Sequence, residues 1–336
     1  MTDPLYTQQL YDAPAYQLTV DGRNITPQIE ARLMSLTLTE SRGDEADQLD
    51  IELDDADGAL QLPPKGAEIS LLLGWKGFGL VDKGLFEVDE IEHSGAPDRI
   101  SIRARSAEMR RQLRTRSERS WHDTTVGAIV EAIARRNNLT PRVDATLAAV
   151  KVAHIDQTNE SDLHFLTRLA RQHDAVCTVK KGRQVFLPVN GTRSSTGEEL
   201  AAITLTRAAG DQHRYHTADR HSYTGVRAYW HDKNQAEKRS VLVGTEENEK
   251  RLKDTYGSEA DAMAAARAEQ GRVERGKATM ELTLALGRPE LMPQTPVTLI
   301  GFKREIDTTR WLVVKLMHSL GGGGLTTRIE FETAAR

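Results

Sequence analysis

The stretch LLLGWKGFGLVDKGLFEVDEIEHSGAPDRISIRAR, from Leu71 to Arg105, has a second version near the other end of the chain. That version is LIGFKREIDTTRWLVVKLMHSLGGGGLTTRIEF, from Leu299 to Phe331. With Phe86 set against Trp311, Val88 meets Val313, Ile91 meets Leu316, His93 meets His318 and Ser94 meets Ser319 without a gap. Upstream, Gly74-Trp75 matches Gly301-Phe302; downstream, a Gly-containing turn leads to Ile100 and Ile102 in one copy and to Ile329 and Phe331 in the other. Apolar residues two apart are what a sheet with one buried face requires. Any two antiparallel hairpins share that much. A matched aromatic, β-branched, His-Ser series argues for duplication. The expected architecture is mainly β, with two related antiparallel β-barrel domains, an α+β insert and helical insertions.

Working outward, 336 residues are enough for two or three domains. A 28% charged content and a formal net charge of −4 give no global basic excess of the kind that binds nucleic acid electrostatically. The Arg-rich run from Arg103 to Arg119 also carries Glu108 and Glu118 and reads as solvated surface. The lone Cys177 excludes an internal disulfide and a cysteine-only zinc site; its setting, AVCTV, reads as a buried inert thiol. The first residues, MTDPLYTQQLYDAPAYQL, lack a signal peptide's basic and apolar regions, and no run approaches the roughly 20 apolar residues of a membrane span. The expectation is a chain that is cytoplasmic when made, or that leaves the cell by a route needing no signal peptide.

In order, residues 1–15 read as a polar N-terminal arm and residues 16–116 as the first β-barrel domain. LMSLTLT places Leu36 and Leu38 on one face, and Leu49, Ile51 and Leu53 follow with the same period. Residues 117–195 read as the insert. Val126, Ile129, Val130 and Ile133 have helical spacing after Asp123 or Thr124 as cap; Leu163, Phe165, Leu166, Leu169 and Ala170 repeat it after Asn159-Glu160-Ser161. A hairpin then turns at Lys180-Lys181-Gly182-Arg183. Residues 196–336 read as the second β-barrel domain, including the strand Tyr223 to Trp230, with a helical excursion at about 243–276.

Four constellations invite chemistry and fail. Asp54-Asp55-Ala56-Asp57-Gly58 would need Leu53 and Pro64 as EF-hand ligands. His154, Asp156 and His164, and the pair His213 and His216, lack metal-ligand spacing. Gly321 to Gly324 opens into no helix and reads as a flexible hairpin tip rather than a phosphate cradle. No nucleophile elbow or glycosidase carboxylate pair is present, so no active site, cofactor or metal is expected. His93 and His318, recurring at matched places, read as structural, because catalysis seldom needs two copies.

The ordered series Arg32–Thr39, Glu45–Leu53, Gly74–Phe78, Trp121–Thr125, His154–Gln157, Glu160–Asp162 with Phe165–Ala170, Tyr223–Val226 and Gly301–Arg304 resembles the phage late control protein D family. The Glu160–Ala170 part is similar to a signature shared with the N-terminal hub part of VgrG proteins. One departure is the short stretch His231 to Arg239, longer in some phage members. The resemblance implies a structural, non-enzymatic tail hub of a contractile injection machine: a phage, an R-type pyocin or other tailocin, or a type VI apparatus. It implies a homotrimer whose two barrels per chain make a pseudo-six-fold ring joining a six-fold tail tube to a three-fold central spike. The implied partners are further copies of itself, the spike, the tube protein, and the tape-measure and other baseplate proteins. Neither sequence-specific nucleic acid nor a membrane span is among them. Assembly in the host bacterial cytoplasm precedes incorporation into the particle. Glu87, Asp89, Glu92 and Lys315 are the candidate ring or bore contacts. A hub with added wall-degrading activity would need an acid–base pair. A carbohydrate-binding β-sandwich would need clustered aromatics, and aromatic content is 5%.

Overall fold

A computed structural model describes residues 13–43, 45–106, 113, 115–180, 182–189, 200–217, 223–232 and 235–334. Residues 1–12 of the expected N-terminal arm lie outside the described residues, as do residues 190–199, a stretch whose composition (NGTRSSTGEE) reads as a linker; Pro14 and Ala15 of the expected arm already belong to a strand.

Alternation builds the first β unit. Its strands are β1 (Pro14–Val20), β2 (Arg23–Asn24), β3 (Leu33–Ser41), β4 (Gln48–Asp54), β5 (Glu68–Trp75), β6 (Gly79–Ser94) and β7 (Arg99–Ser106). Leu36 and Leu38 of β3, Leu49, Ile51 and Leu53 of β4, Leu71 and Leu73 of β5, and Phe86 and Val88 of β6 all turn inward to one cluster. The hydrogen-bonded order is β3-β4-β7-β6-β5-β1, with β2 beyond β1. Strands from opposite ends of that run, β1 and β3, feed the same core through Leu18 and Leu36, so the sheet curls around it.

The second unit uses β13 (Ile203–Thr206), β14 (Gly210–Thr217), β18 (Ala278–Leu284), β19 (Pro296–Ile300), β20 (Arg310–Gly321) and β21 (Gly324–Thr333). Its order is β14-β18-β21-β20-β19-β13, the same arrangement strand for strand. Trp311 and Val313 are as buried as Phe86 and Val88. The irregularities repeat as well. The β6–β7 ladder slips between Val88 and Glu90, and the β20–β21 ladder between Val313 and Lys315. The β3–β4 ladder slips between Leu33 and Ser35, and the β14–β18 ladder between Gly210 and Gln212. Even the turn before β5 recurs. Gly66 N–H donates to Val88 O and Gln294 N–H to Val313 O, both from residues with positive φ. Bulges sit where a strand must bend, so two bulges in matched places mean two sheets bent alike.

Three differences separate the copies. Ile102, not Ile100, matches Ile329, and Ala104 matches Phe331, because they face Ile91 and Leu316, Val88 and Val313. Counting from the turn misleads there: Ser94 pairs with Arg99 but Ser319 with Thr326, so the second hairpin is longer. β1 runs antiparallel to β5, whereas β13 runs parallel to β19. A tight turn joins β5 to β6, and a short helix, Arg304–Asp307, stands in the corresponding link.

Between the units lies the insert: β8 (Arg116–Thr125), α1 (Val126–Arg136), β9 (Thr140–Val143), β10 (Lys151–Ser161), α2 (Asp162–Gln172), β11 (Ala175–Lys180) and β12 (Arg183–Pro188). The caps are Thr125 Oγ1, accepting from Ala128 N–H, and Ser161 Oγ, accepting from His164 N–H. The α1 cap thus falls on Thr125 rather than Asp123 or Thr124. The apolar stripes of both helices pack with Phe186 and Cys177 in a separate core. Burial pushes the Cys177 thiol up to about 12.

The excursion in the second unit is larger than the helical segment expected at 243–276. β15 (Gly225–Asp232), β16 (Glu237–Gly244) and β17 (Glu249–Tyr256) form their own sheet, on which the Ala face of α3 (Glu259–Arg275) lies. The strand over Tyr223 to Trp230 therefore belongs to this layer rather than to the second β unit. Its alternation is real; its partners are set by β16 and β17.

Candidate assembly site

The two units are one ladder. β20 pairs antiparallel with β3 from Lys315 opposite Ser41 to Gly321 opposite Ser35, joining residues far apart in sequence through backbone hydrogen bonds. The inward face of this junction holds charge. Glu40, on β3, is 4% exposed, and Lys83 Nζ from β6 lies 2.5 Å from Glu40 Oε2. The same oxygen is 3.2 Å from Nε2 of the fully buried His318, whose Nδ1 is 2.8 Å from Thr327 Oγ1. Thr327 Oγ1 also accepts from Arg288 N–H, and Lys83 Nζ donates to Pro289 O. Trp75 Nε1–H donates to Gly287 O, a further tie from the first unit to the loop before β19.

These partners fix the proton positions. Burial pushes the Glu40 carboxyl up, but the His318 hydrogen bond and the Lys83 and Lys180 charges outweigh it and hold it at about 2. An ionised Glu40 only accepts, so His318 carries its proton on Nε2. Nδ1 then accepts from Thr327 Oγ1–H, whose oxygen takes the Arg288 N–H on a lone pair. Burial also lowers the His318 pKa, with Lys83 adding to it against the Glu40 carboxylate, which raises it. His318 is therefore a neutral connector, a structural part of the junction. No sequence signal set Glu40 or Lys83 apart, because a buried charge and a surface charge look alike in a string of letters.

The insert and the excursion are bolted to the same end. Lys180 of β11 reaches Asp47, at 3.1 Å, and Glu40, at 3.7 Å. Gly43 approaches so closely that a Cβ there would stand 2.6 Å from Val176 Cγ1 and 2.9 Å from Cys177 O. The buried Arg275 of α3 donates to both oxygens of Asp174, at 2.7 and 2.5 Å, and lies 3.1 Å from Glu332, which Arg42 also binds. A cleft of about 510 Å³ runs between these parts, lined among others by Arg42, Arg171, Arg272 and Lys315.

The candidate contacts fall into two places. Glu87, Asp89 and Glu92 lie on β6, with Asp89 and Glu92 exposed and Glu87 half-buried. Their surroundings are of mixed charge: Asp89 pairs with Arg105 at 3.0 Å, and Arg103 bridges Glu90 and Asp50 at 2.7 and 2.9 Å. Lys315 lines the internal cleft, away from those three acids. His93, the counterpart of His318, is on the surface, 3.5 Å from Asp55 and 3.9 Å from Asp98.

A sequence profile of the phage tail baseplate hub (GPD) family matches residues 55–323. The chain belongs to this family. Probable baseplate hub proteins of Escherichia phages 186 and P2 are each 44% identical to it, over 95% of this chain and 93% of theirs. Among solved structures, the tail protein from Neisseria meningitidis MC58 superposes with a TM-score of 0.72 at 13% identity, over 95% of this chain and 96% of the other. The 43 kDa tail protein of prophage MuSo2 from Shewanella oneidensis gives 0.69 at 15%, over 95% and 98%. A type VI secretion component of E. coli gives 0.59 at 14%, over 95% and 77%. The protein is a structural hub of a phage tail baseplate, with the mainly β fold that its sequence implied.

Other polar clusters of the hub are accounted for by local structure. Asp57 is clasped by Arg32 with both oxygens at 2.6 Å, and Asp54 and Asp55 accept from Ala56 and Leu60 N–H. His154 stacks on His122 and bonds Asp156, while His164 bonds Glu160. His213 packs edge-on against Phe302. Among the described residues no group of three His, Cys, Asp or Glu could hold a metal, and no helix is long and apolar enough to cross a membrane. Gly322-Gly323 forms the hairpin tip between β20 and β21.

Proposed function

We propose that three copies of this hub close a ring to which each chain gives two similar β units, so that six units meet a six-fold tail tube and three chains meet a three-fold central spike. The observation that supports it is the repeat itself: one strand order, two matched bulges and one matched turn occur twice in a single chain. A chain with two such units presents nearly the same surface every sixth of a turn while keeping three-fold features in its dissimilar insertions. The work is mechanical: binding and alignment, with a bore that continues the tube channel. The tape-measure protein would meet that bore, and assembly would take place in the host cytoplasm before the hub joins the particle. Glu87, Asp89 and Glu92 of β6 would lie at ring contacts. Lys315, within the cleft, would act inside the chain.

The test is native mass spectrometry of the full chain produced with the spike protein of its own particle. Three hub chains per spike trimer are expected. One or six hub chains per spike trimer would overturn the reading.

A further inference from the structure

We propose that His122 and His154 form a two-histidine site for a borderline divalent transition cation, zinc or copper(II), held across the β8–β10 ribbon of the insert. The site lies within one chain and is independent of the ring. The two residues are 32 apart in sequence, and the antiparallel ladder sets them directly opposite each other. Opposite residues of such a pair share a face, and both are exposed on it. Their rings stack with centroids 4.6 Å apart, and the two Nδ1 atoms are 3.1 Å from each other. Spacing along the chain hides the pair, because its members come from two strands rather than from one helix face.

That separation is the one a metal ion needs. Two imidazole nitrogens on one zinc, at an angle between a right angle and the tetrahedral one, stand roughly 2.8–3.4 Å apart. The tautomer is set from outside the pair. Nε2 of His154 is 3.0 Å from Asp156 Oδ2, and Ser120, opposite Asp156 in the ladder, hydrogen-bonds that carboxylate. A carboxylate only accepts, so His154 keeps its proton on Nε2 and turns its Nδ1 lone pair to His122. A carboxylate behind a liganding imidazole orients the ring and makes it a stronger ligand. In the ion-free chain His122 donates from Nδ1; with a cation between the rings it carries that proton on Nε2 instead, and no charge is lost.

Other histidines of the chain lack this arrangement. His164 shares Glu160 with Arg168, whose guanidinium lies 2.5 Å from that carboxylate, and His318 is enclosed by Glu40 and Thr327. Two protein nitrogens completed by water make an open site rather than a closed structural one. Imidazole selects zinc, copper or nickel over magnesium and calcium, which require oxygen ligands. His154 also lines a cleft of about 540 Å³ between the insert and the β17–α3 segment, which gives an ion a way in and room for its waters. The consequence is mechanical. β8 and β10 form a two-stranded sheet of their own, anchored to the insert core by Trp121, Val152 and Ile155. Two-stranded ribbons are marginal, and an ion bound to both strands ties them together.

The test is isothermal titration of the full chain, free of any affinity tag, with zinc chloride. Uptake of one ion per chain is expected, and none of magnesium. His122→Gln and His154→Gln should each weaken zinc binding by roughly tenfold or more, and Asp156→Asn by roughly ten- to a hundredfold through the ring it orients. His164→Gln should leave the affinity unchanged. Circular dichroism of each variant establishes that it is folded, which exposed positions favour. Copper(II) at the site should show coupling to two imidazole nitrogens in its electron paramagnetic resonance spectrum, and to one in either histidine variant. A folded chain that takes up no zinc would overturn the site, as would zinc binding that survives both histidine substitutions. Unchanged affinity in Asp156→Asn would overturn the positioning role of that carboxylate.

Discussion

By the repeat β6 corresponds to β20 and β14 to β3, so the β20–β3 junction and the edges of β6 and β14 that lack a second ladder partner among the described residues are the same piece of structure met twice, once finished and once not. In the finished case Glu40, Lys83 and His318 are buried together and the strands belong to one chain. In the open case the corresponding strands carry His93, Glu92, Tyr215 and His216 at the surface. A permanent contact can hold buried charge because its partners never separate. A contact made during assembly is better served by exposed charges that are solvated until they meet. The comparison predicts that the two places respond differently to mutation.

The largest effects belong to the cores that make the units equivalent. Trp311→Ala should cost about 4 kcal/mol in denaturant unfolding, and Phe86→Ala about the same, because each removes a fully buried ring. A loss for one and indifference for the other would break the equivalence.

Next comes the finished junction. Lys83→Met leaves the Glu40 carboxylate buried without its nearest cation and should cost about 3 kcal/mol. Adding Glu40→Leu should recover most of that loss. If Lys83→Met is silent on its own, the ion pair does not hold the units together.

Acid should act on the same place. His318 has its pKa lowered in the fold, so folding favours its neutral form; that contribution is complete above the unfolded value of about 6.5 and is lost as pH falls from there through the lower folded value. Glu40, lowered to about 2 from 4.5, adds stability that is present above pH 4.5 and lost towards 2. Asp47, raised by burial, works the other way and offsets part of this loss. Denaturation midpoints measured from pH 7.5 to 5 should fall. The fall should be shallower in His318→Gln, and an unchanged slope there would point to other groups.

The smallest effect on folding is expected at the open edge. Glu92→Gln should change monomer stability by less than about 0.5 kcal/mol, as surface substitutions do, while weakening association. Unfolding of the dilute chain measures the first, and sedimentation at rising concentration the second.

How much of this was legible beforehand follows from the range of the forces. The repeat could be read because Phe86, Val88 and Ile91 share one local spacing with Trp311, Val313 and Leu316, two residues and then three, the third being the bulge. The long helices could be read from apolar residues three and four apart and the Ser or Thr ahead of them. The β3–β20 pairing could not, since backbone hydrogen bonds between strands nearly 300 residues apart leave no local trace. The separate β15–β17 sheet was hidden for the same reason: alternation marks a strand without naming its neighbours. Lys83 sits between Asp82 and Gly84, a sequence that suggests surface, and it is burial against Glu40 that makes it structural.

In the proposed assembly three chains supply six matching units joined in a ring. Its most direct test is the density of the hub layer in assembled particles imaged by cryo-electron microscopy. Three chains are predicted, with six β lobes around one bore and the β20–β3 junction inside each chain. A hub layer of six chains, or of three chains with only one lobe each facing the tube, would contradict it.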